Sequence, residues 1–169
     1  MIPLPGALGG TDVVAWRLQP TKHLSTWQTA EGAFLVGGRW SPAGRRVIYA
    51  SLDPATSILE LAVHQGFATL DTVRHTLLEL DIVAPGQVHV VKPVDVPNAN
   101  WLRPGTVGAG QQAFGAQLLD AHPLVLIPSV VSTHSWNLLS DANRAQGFFN
   151  LRSSEALALD PRLNPAAAP

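Results

Sequence analysis

Glycine and proline punctuate this chain from end to end. There are 14 of each in 169 residues, and few windows between them leave room for an extended helix. Proline removes a backbone donor and fixes φ, and glycine adds entropy that ordering must remove, so both interrupt regular elements. The pattern predicts many short elements joined by turns. The length fits one domain able to bury its own core.

The elements follow from local signals. Val13 to Leu18 reads as a strand, residues 19–33 as a long polar loop, and Phe34 to Trp40 as a short strand before a turn at Pro42-Ala43-Gly44. Arg46 to Ser51 is rich in strand formers. Asp53 and Pro54 open a helix as N-cap and first residue, with Gly66 as its stop. Along it Ala55, Ile58, Leu59, Ala62 and Val63 recur at helical spacing and are expected to form a buried stripe. Thr76–Val83 and Gln87–Lys92 read as strands around a turn at 84–86. Residues 93–107 read as a loop, Gln111–Ala121 as a second long helix, and Leu124–Ser132 as a β-rich run broken by Pro128. Phe148–Leu151 and Ala156–Leu159 complete the strand set. Strands outnumber helices without strict βαβ alternation, so the expected class is α+β with a mixed or antiparallel core. The Ala- and Pro-rich end, residues 164–169, is expected to fray.

Composition removes several functions. The chain has no cysteine, which excludes disulfides and thiolate metal sites and fits a reducing cytosol. Its formal net charge is -1, so no basic field recruits nucleic acid directly. No Lys or Arg precedes Arg17 and no apolar run reaches membrane-span length, so a cytoplasmic protein is expected rather than a membrane or exported one. Hydrophobic residues make up 46% and charged residues 14%, against a usual charged share of about a quarter. Either apolar surface awaits a partner or the surface is simply lightly charged. Phosphate-loop, dinucleotide-fingerprint, zinc-protease and nucleophile-elbow motifs are absent. The six histidines, at 23, 64, 75, 89, 122 and 134, show no metal-ligand spacing. No metal and no cofactor is expected.

What remains is a set of polar residues in apolar surroundings. Arg17 ends Val-Val-Ala-Trp-Arg-Leu and must snorkel, pair or bind an anion. Arg39 sits in Val36-Gly-Gly-Arg-Trp-Ser41, where glycines permit close approach and a guanidinium can grip a phosphate; a solvated turn arginine is the alternative. Tyr49 can stack on a flat ring or serve as a core aromatic with a satisfied hydroxyl. Glu60 lies beside an apolar stripe, where a carboxylate needs either a partner or a task; an exposed pair with His64 is the alternative. Ser129 follows Pro128, as a ligand-binding hydroxyl or as a bulge beside proline.

Taken in order, these stretches resemble the RES family. They are Val14-Ala-Trp-Arg-Leu18, Gly37-Gly-Arg-Trp-Ser-Pro-Ala-Gly44, Val47-Ile-Tyr-Ala-Ser51, Ser57-Ile-Leu-Glu-Leu-Ala-Val-His64, Ile127-Pro-Ser-Val-Val131, Asn137-Leu-Leu139 and Asp160-Pro-Arg-Leu163. The resemblance implies a RES domain over residues 1–163 with an ADP-ribosyltransferase-like fold. It implies a toxin paired with an Xre-type helix-turn-helix antitoxin, and NAD+ as substrate rather than cofactor. Any DNA contact would come through that antitoxin, and a homo-oligomer stays open. The family's naming arginine, glutamate and serine fall on Arg17 or Arg39, Glu60 and Ser129. Family members continue Asn-Leu-Leu with Asn-Pro and His-Pro, whereas this chain reads Ser140-Asp-Ala-Asn-Arg144, which leaves that segment's role open.

The roles implied are specific. Arg17 and Arg39 would clamp the diphosphate, and Tyr49 would stack on nicotinamide. Glu60 would face the positive ribose that forms as nicotinamide leaves. Ser129 and Asn137 would line the NAD pocket. Water or phosphate would be the acceptor in NAD degradation. Transfer of ADP-ribose to a protein and a non-catalytic module that only binds the Xre-type partner are the alternatives.

Overall fold

The computed structural model describes residues 13–158 and Asp160; the tail expected to fray, 164–169, lies outside them. Seven strands among these residues form one sheet: β1 (Val13–Pro20), β2 (Val47–Ser51), β3 (His75–Ile82), β4 (Val88–Val90), β5 (Leu124–Pro128), β6 (Trp136–Asp141) and β7 (Phe149–Leu157). Their order is β4-β5-β6-β2-β1-β3-β7. The β4–β5 pair is parallel and the other pairings are antiparallel. Four helices accompany them, α1 (Glu31–Val36), α2 (Pro54–Gln65), α3 (Phe67–Thr72) and α4 (Ala109–Ala121). The expected α+β class with a mixed sheet is what the chain adopts.

The core lies on both faces of the sheet because its central strands are hidden on both sides. In β5, Leu124 and Leu126 join one apolar cluster with Ile48, Leu78, Trp136 and Leu138. Val125 and Ile127 join another with Trp40, Leu119 and Leu139. The period-2 alternation of a strand produces that split. A third cluster, Leu18, Ala62, Leu70 and Leu77, seats α2 and α3 on β1 and β3.

Several elements differ from expectation, each for a physical reason. Phe34–Trp40 is not a strand: α1 takes Phe34 to Val36, and Gly37 turns the chain at φ 73. A Cβ on Gly37 would meet the backbone of Ser41 and Ala43 at 2.9 Å, so a tight return, followed by a lone Gly38–Ser41 bridge, replaces an extended run. The expected loop at 19–33 holds a 3-10 helix, Thr21–Thr29, because Trp27 is drawn into the core. The two expected strands Phe148–Leu151 and Ala156–Leu159, of which Leu159 lies outside the described residues, fall on one, β7 (Phe149–Leu157). Its bulge between the Glu79 and Leu80 registers lets Arg152 pair with Glu79 and Asp81.

The stripe on α2 is corrected in part: Ile58 and Ala62 pack against the core as expected, and Ala55, Leu59 and Val63 do not. Thr56, Ser57 and Ala62 are buried, while Ala55 is exposed and Leu59 and Val63 are 39% and 66% exposed. Backbone demand sets this rotation. β1 and β2 share a single paired position, Trp16 with Ser51, then splay apart. The Leu18 N–H turns to Ser57 Oγ at 2.9 Å, and the Tyr49 carbonyl accepts from Arg17 Nη1 at 2.7 Å. Side chains thus satisfy main-chain groups that the strands leave open.

Candidate active site

Glu60 projects from the inner half of α2 toward the ends of β5 and β6. Pro128 ends β5, and Ser129, 2% exposed, directs its hydroxyl to Glu60 Oε1 at 2.9 Å. From β6, Asn137 Nδ2 donates to the same oxygen. Behind it, Ser51 Oγ on β2 donates to Asn137 Oδ1 at 2.8 Å, a contact set by the register that pairs Ser51 with Asn137. Ser129 Oγ in turn accepts from the Ser132 N–H at 3.1 Å. The loop from Ser129 to Ser135 is also tied to the start of α2, where Asp53 caps the helix through the Thr56 N–H and accepts from Ser135. Those hydrogen bonds hold the Asp53 carboxyl below its usual range against the opposing pull of desolvation.

The two arginines are placed differently. Trp16 and Leu18 pack in the cluster with Ala62 of α2. Arg17, between them, alternates away from that helix and spans the splayed β1–β2 gap to the Tyr49 carbonyl. Its Nε is shut away from solvent with no hydrogen-bond partner, and burial pulls its pKa down to about 10. A buried charge is costly until paired, and here the Tyr49 carbonyl is the hydrogen-bond partner of the guanidinium among the described residues. Arg39 stands on the Gly38–Ser41 turn, part exposed, and among the described residues its hydrogen bond is a long 3.4 Å contact to the Gly105 carbonyl.

Tyr49 connects these parts. Its hydroxyl accepts from the Trp40 N–H at 3.3 Å and shares a 2.8 Å hydrogen bond with Ser41 Oγ. Desolvation pushes its pKa up to about 12; Glu60 adds to the rise, while Ser41, Trp40 and the Arg39 charge oppose it. The ring therefore lies within electrostatic reach of both Glu60 and Arg39, and its hydroxyl holds the arginine turn. Gly38 is required there, because a Cβ would sit 2.6 Å from that hydroxyl. On the other side Gln112 of α4 donates to the Gly38 carbonyl at 2.9 Å.

Glu60, Ser129 and Asn137 thus meet directly, Arg17 and Tyr49 meet each other, and Arg39 joins through the turn that Tyr49 anchors. Ser51 and Gln112 were not singled out in the sequence. Ser51 lies in the Tyr-x-Ser stretch, yet its contact with Asn137 depends on β6, which shows no alternation of apolar and polar residues. The divergent segment after Asn137 has a structural task. Asp141 caps the turn through the Asn143 and Arg144 amides and pairs with Arg45 at 2.9 Å, while Arg144 grips the carbonyls of Leu119 and Asp120. Together they fasten the C-terminus of α4, where cations complement the helix dipole. A depression of about 510 Å3 lies beside this fastening, lined in part by Phe34, Arg45, Arg46 and Asp141, and shares no residue with the Glu60 network. Among the described residues no cluster of three or more His, Asp or Glu is arranged to hold a metal, and no helix is long and apolar enough to cross a membrane.

Comparison with known proteins adds a family. A family model described as RES domain matches residues 14–160. Toxin Res of Photorhabdus laumondii subsp. laumondii is 30% identical over 128 residues, 75% of this chain and 80% of that protein. The Prs ADP-ribosylating toxin of Sphingobium sp. (strain YBL2) is 32% identical over 114 residues, 64% of this chain and 68% of that protein. The fold is similar to a chain in the crystal structure of the M. tuberculosis MbcT-MbcA toxin-antitoxin complex, with a TM-score of 0.61 at 20% identity, covering 90% of this chain and 86% of that one. The match takes in the described sheet except Val13 at the start of β1, and Arg17, Arg39, Glu60 and Ser129 all fall within it, so this chain belongs to the RES domain family.

Proposed function

We propose that this chain is the toxin of a toxin–antitoxin pair and that it breaks the nicotinamide–ribose bond of NAD+. One observation carries the reading: a glutamate with one carboxylate oxygen pinned by two donors, within electrostatic reach of Tyr49, whose main-chain carbonyl in turn holds an arginine with a buried, unbonded Nε. In NAD+ the ribose–nitrogen bond breaks heterolytically. Its electron pair goes to the ring nitrogen, nicotinamide leaves neutral, and positive character develops on the ribose. A fixed carboxylate stabilises that state more than the ground state, which is how a preorganised charge accelerates a reaction. Arg17 supplies the anion seat for the diphosphate, with Arg39 closing over it from its turn. Water as acceptor yields ADP-ribose and a proton; phosphate yields ADP-ribose-1″-phosphate.

Purified protein incubated with NAD+, with and without phosphate, tests this by release of free nicotinamide. Glu60→Gln keeps shape and removes charge, and is expected to lower kcat by roughly 10²–10³-fold, the scale for losing one preorganised group. Arg17→Ala is expected to raise KM about tenfold or more, from loss of a charge-assisted contact. Wild-type protein that leaves NAD+ intact in both buffers would sink the proposal.

A second reading has its own support, since one relative is named as ADP-ribosylating. In that case a protein side chain accepts the ADP-ribose, and nicotinamide appears only when the target is added. The similarity to a chain solved in a toxin–antitoxin complex supports a protein antitoxin here, and an Xre-type helix-turn-helix protein is the proposed partner. Co-purification with the product of a neighbouring helix-turn-helix gene checks it.

A further inference from the structure

The hydrogen bonds around Glu60 have a direction. A carboxylate only accepts, so the atom of Asn137 facing it must be the amide nitrogen, and the atom facing Ser51 must be the carbonyl oxygen. Ser51 is then obliged to donate. The other arm runs the same way: the Ser132 N–H donates to Ser129 Oγ, and Ser129 spends its only proton on Glu60. Two polarised arms end on one oxygen, Oε1. Oε2 has no hydrogen bond among these groups, and it is the oxygen left to face a ligand. One consequence touches Ser129, whose proton is committed to the glutamate instead of to a ribose or phosphate.

We propose that Ser51 is a positioning residue: by donating to Asn137 Oδ1 it holds the amide in the one orientation that presents NH2 to Glu60, and so fixes which carboxylate oxygen is free to meet the reacting sugar. Ser51 is 2% exposed and Asn137 7%, so no solvent replaces a lost donor on either side. Without Ser51 the amide is free to flip. A flipped amide turns its oxygen toward the carboxylate, which repels it and lets Glu60 swing. The geometry needs a strand pair for this. Ser51 and Asn137 sit opposite each other in the β2–β6 register, and a one-residue slip would turn one of them to the other face.

This inference rests on the NAD+-cleaving reading for its kinetic arm, so a second arm reads the amide directly. In ¹⁵N-labelled protein the Asn137 side-chain NH2 pair is assigned by its loss in Asn137→Asp. The expected wild-type result is two well-separated amide protons, one shifted downfield by the carboxylate. In Ser51→Ala this separation collapses or the pair broadens, nicotinamide release falls about tenfold in kcat, equal to about 1.4 kcal/mol of barrier, and KM changes less than twofold. Ser51→Thr, which keeps the hydroxyl, restores both signals and turnover. Ser51→Cys, a weak donor of similar size, falls between and serves if the alanine variant folds poorly. An unchanged Asn137 pair in both Ser51→Ala and Ser51→Cys would overturn the proposal, as would a kcat loss that Ser51→Thr does not rescue. A wild-type enzyme inert toward NAD+ would defeat the catalytic reading alone, leaving the amide spectrum to decide the role of Ser51.

Discussion

Tyr49 shows how much a single side chain decides. A tyrosine after Val47-Ile48 reads more often as a core aromatic with a satisfied hydroxyl than as a ring for stacking, and here its hydroxyl is spent on the Trp40 amide and Ser41. Burial pushes its pKa up to about 12, so it stays neutral through the physiological range. Its measurable task is to hold the turn bearing Arg39. Tyr49→Phe keeps the ring and leaves the Trp40 N–H and Ser41 hydroxyl without that partner. The expected loss is about 1–3 kcal/mol of stability in a denaturant melt. On the proposed NAD+-cleaving function, kinetics should show a severalfold rise in KM and a smaller change in kcat, because the arginine loosens while the glutamate does not move. Arg17 is decided at the same scale. From its neighbours alone a hydrated strand arginine is the favoured reading, and only the splay of β1 from β2 draws its guanidinium inside.

At the level of elements, the parts that departed from expectation are those whose role depends on neighbours. The outward position of Leu59 and Val63 on α2 follows from Ser57 serving a strand amide that β2 leaves unpaired. The edge carrying β4 has a different dependence. His89 on β4 stacks on His122, at the C-cap of α4, with ring centroids 3.9 Å apart and planes 1° from parallel. Desolvation lowers the His89 pKa from 6.5, the His122 charge lowers it further, and Asp95 opposes them. Below pH 6.5 the unfolded chain therefore protonates His89 before the folded protein does. The unfolded state binds more protons in that window, so stability rises with pH across it and falls on acidification until the folded His89 also charges. His122→Gln removes the like charge and leaves the desolvation. The decline in melting temperature below pH 6.5 should become shallower; an unchanged slope would show that the pair is not coupled.

For the whole molecule, the site is assembled by packing α4 against the Gly38–Ser41 turn from one side while β2 supports it from the other. A Cβ on Gly115 would lie 2.0 Å from the Trp40 carbonyl oxygen. Two effects of Gly115→Ala compete. Alanine favours a helix over glycine by about 1 kcal/mol, whereas forcing atoms into a packed contact costs about 1–3 kcal/mol or more. At that approach the clash wins. The variant should melt at lower temperature and, on the proposed function, bind NAD+ less well, since the displaced turn carries Arg39. A stabilised variant in thermal melting would mean that α4 stands further off.

What residues and their order determined was local or compositional. The α+β class, the Asp53 cap and Gly66 stop of α2, the lack of thiol chemistry, and the set of polar residues out of place in apolar runs all follow from side-chain chemistry and short-range periodicity, which need no distant partner. Tertiary structure alone decided that β6 is a central strand, because Trp136 to Asp141 is buried on both faces and so shows no alternation. It decided that Phe34 belongs to a helix, that α2 turns its polar side inward, and that Ser51 and Asn137 meet. Three of these join partners tens of residues apart, the β6 ladder, the Leu18 amide on Ser57 and the Ser51–Asn137 contact, which no short window contains; the helix at Phe34 is set instead by the tight return at Gly37 and the Gly44 amide bonding its carbonyl.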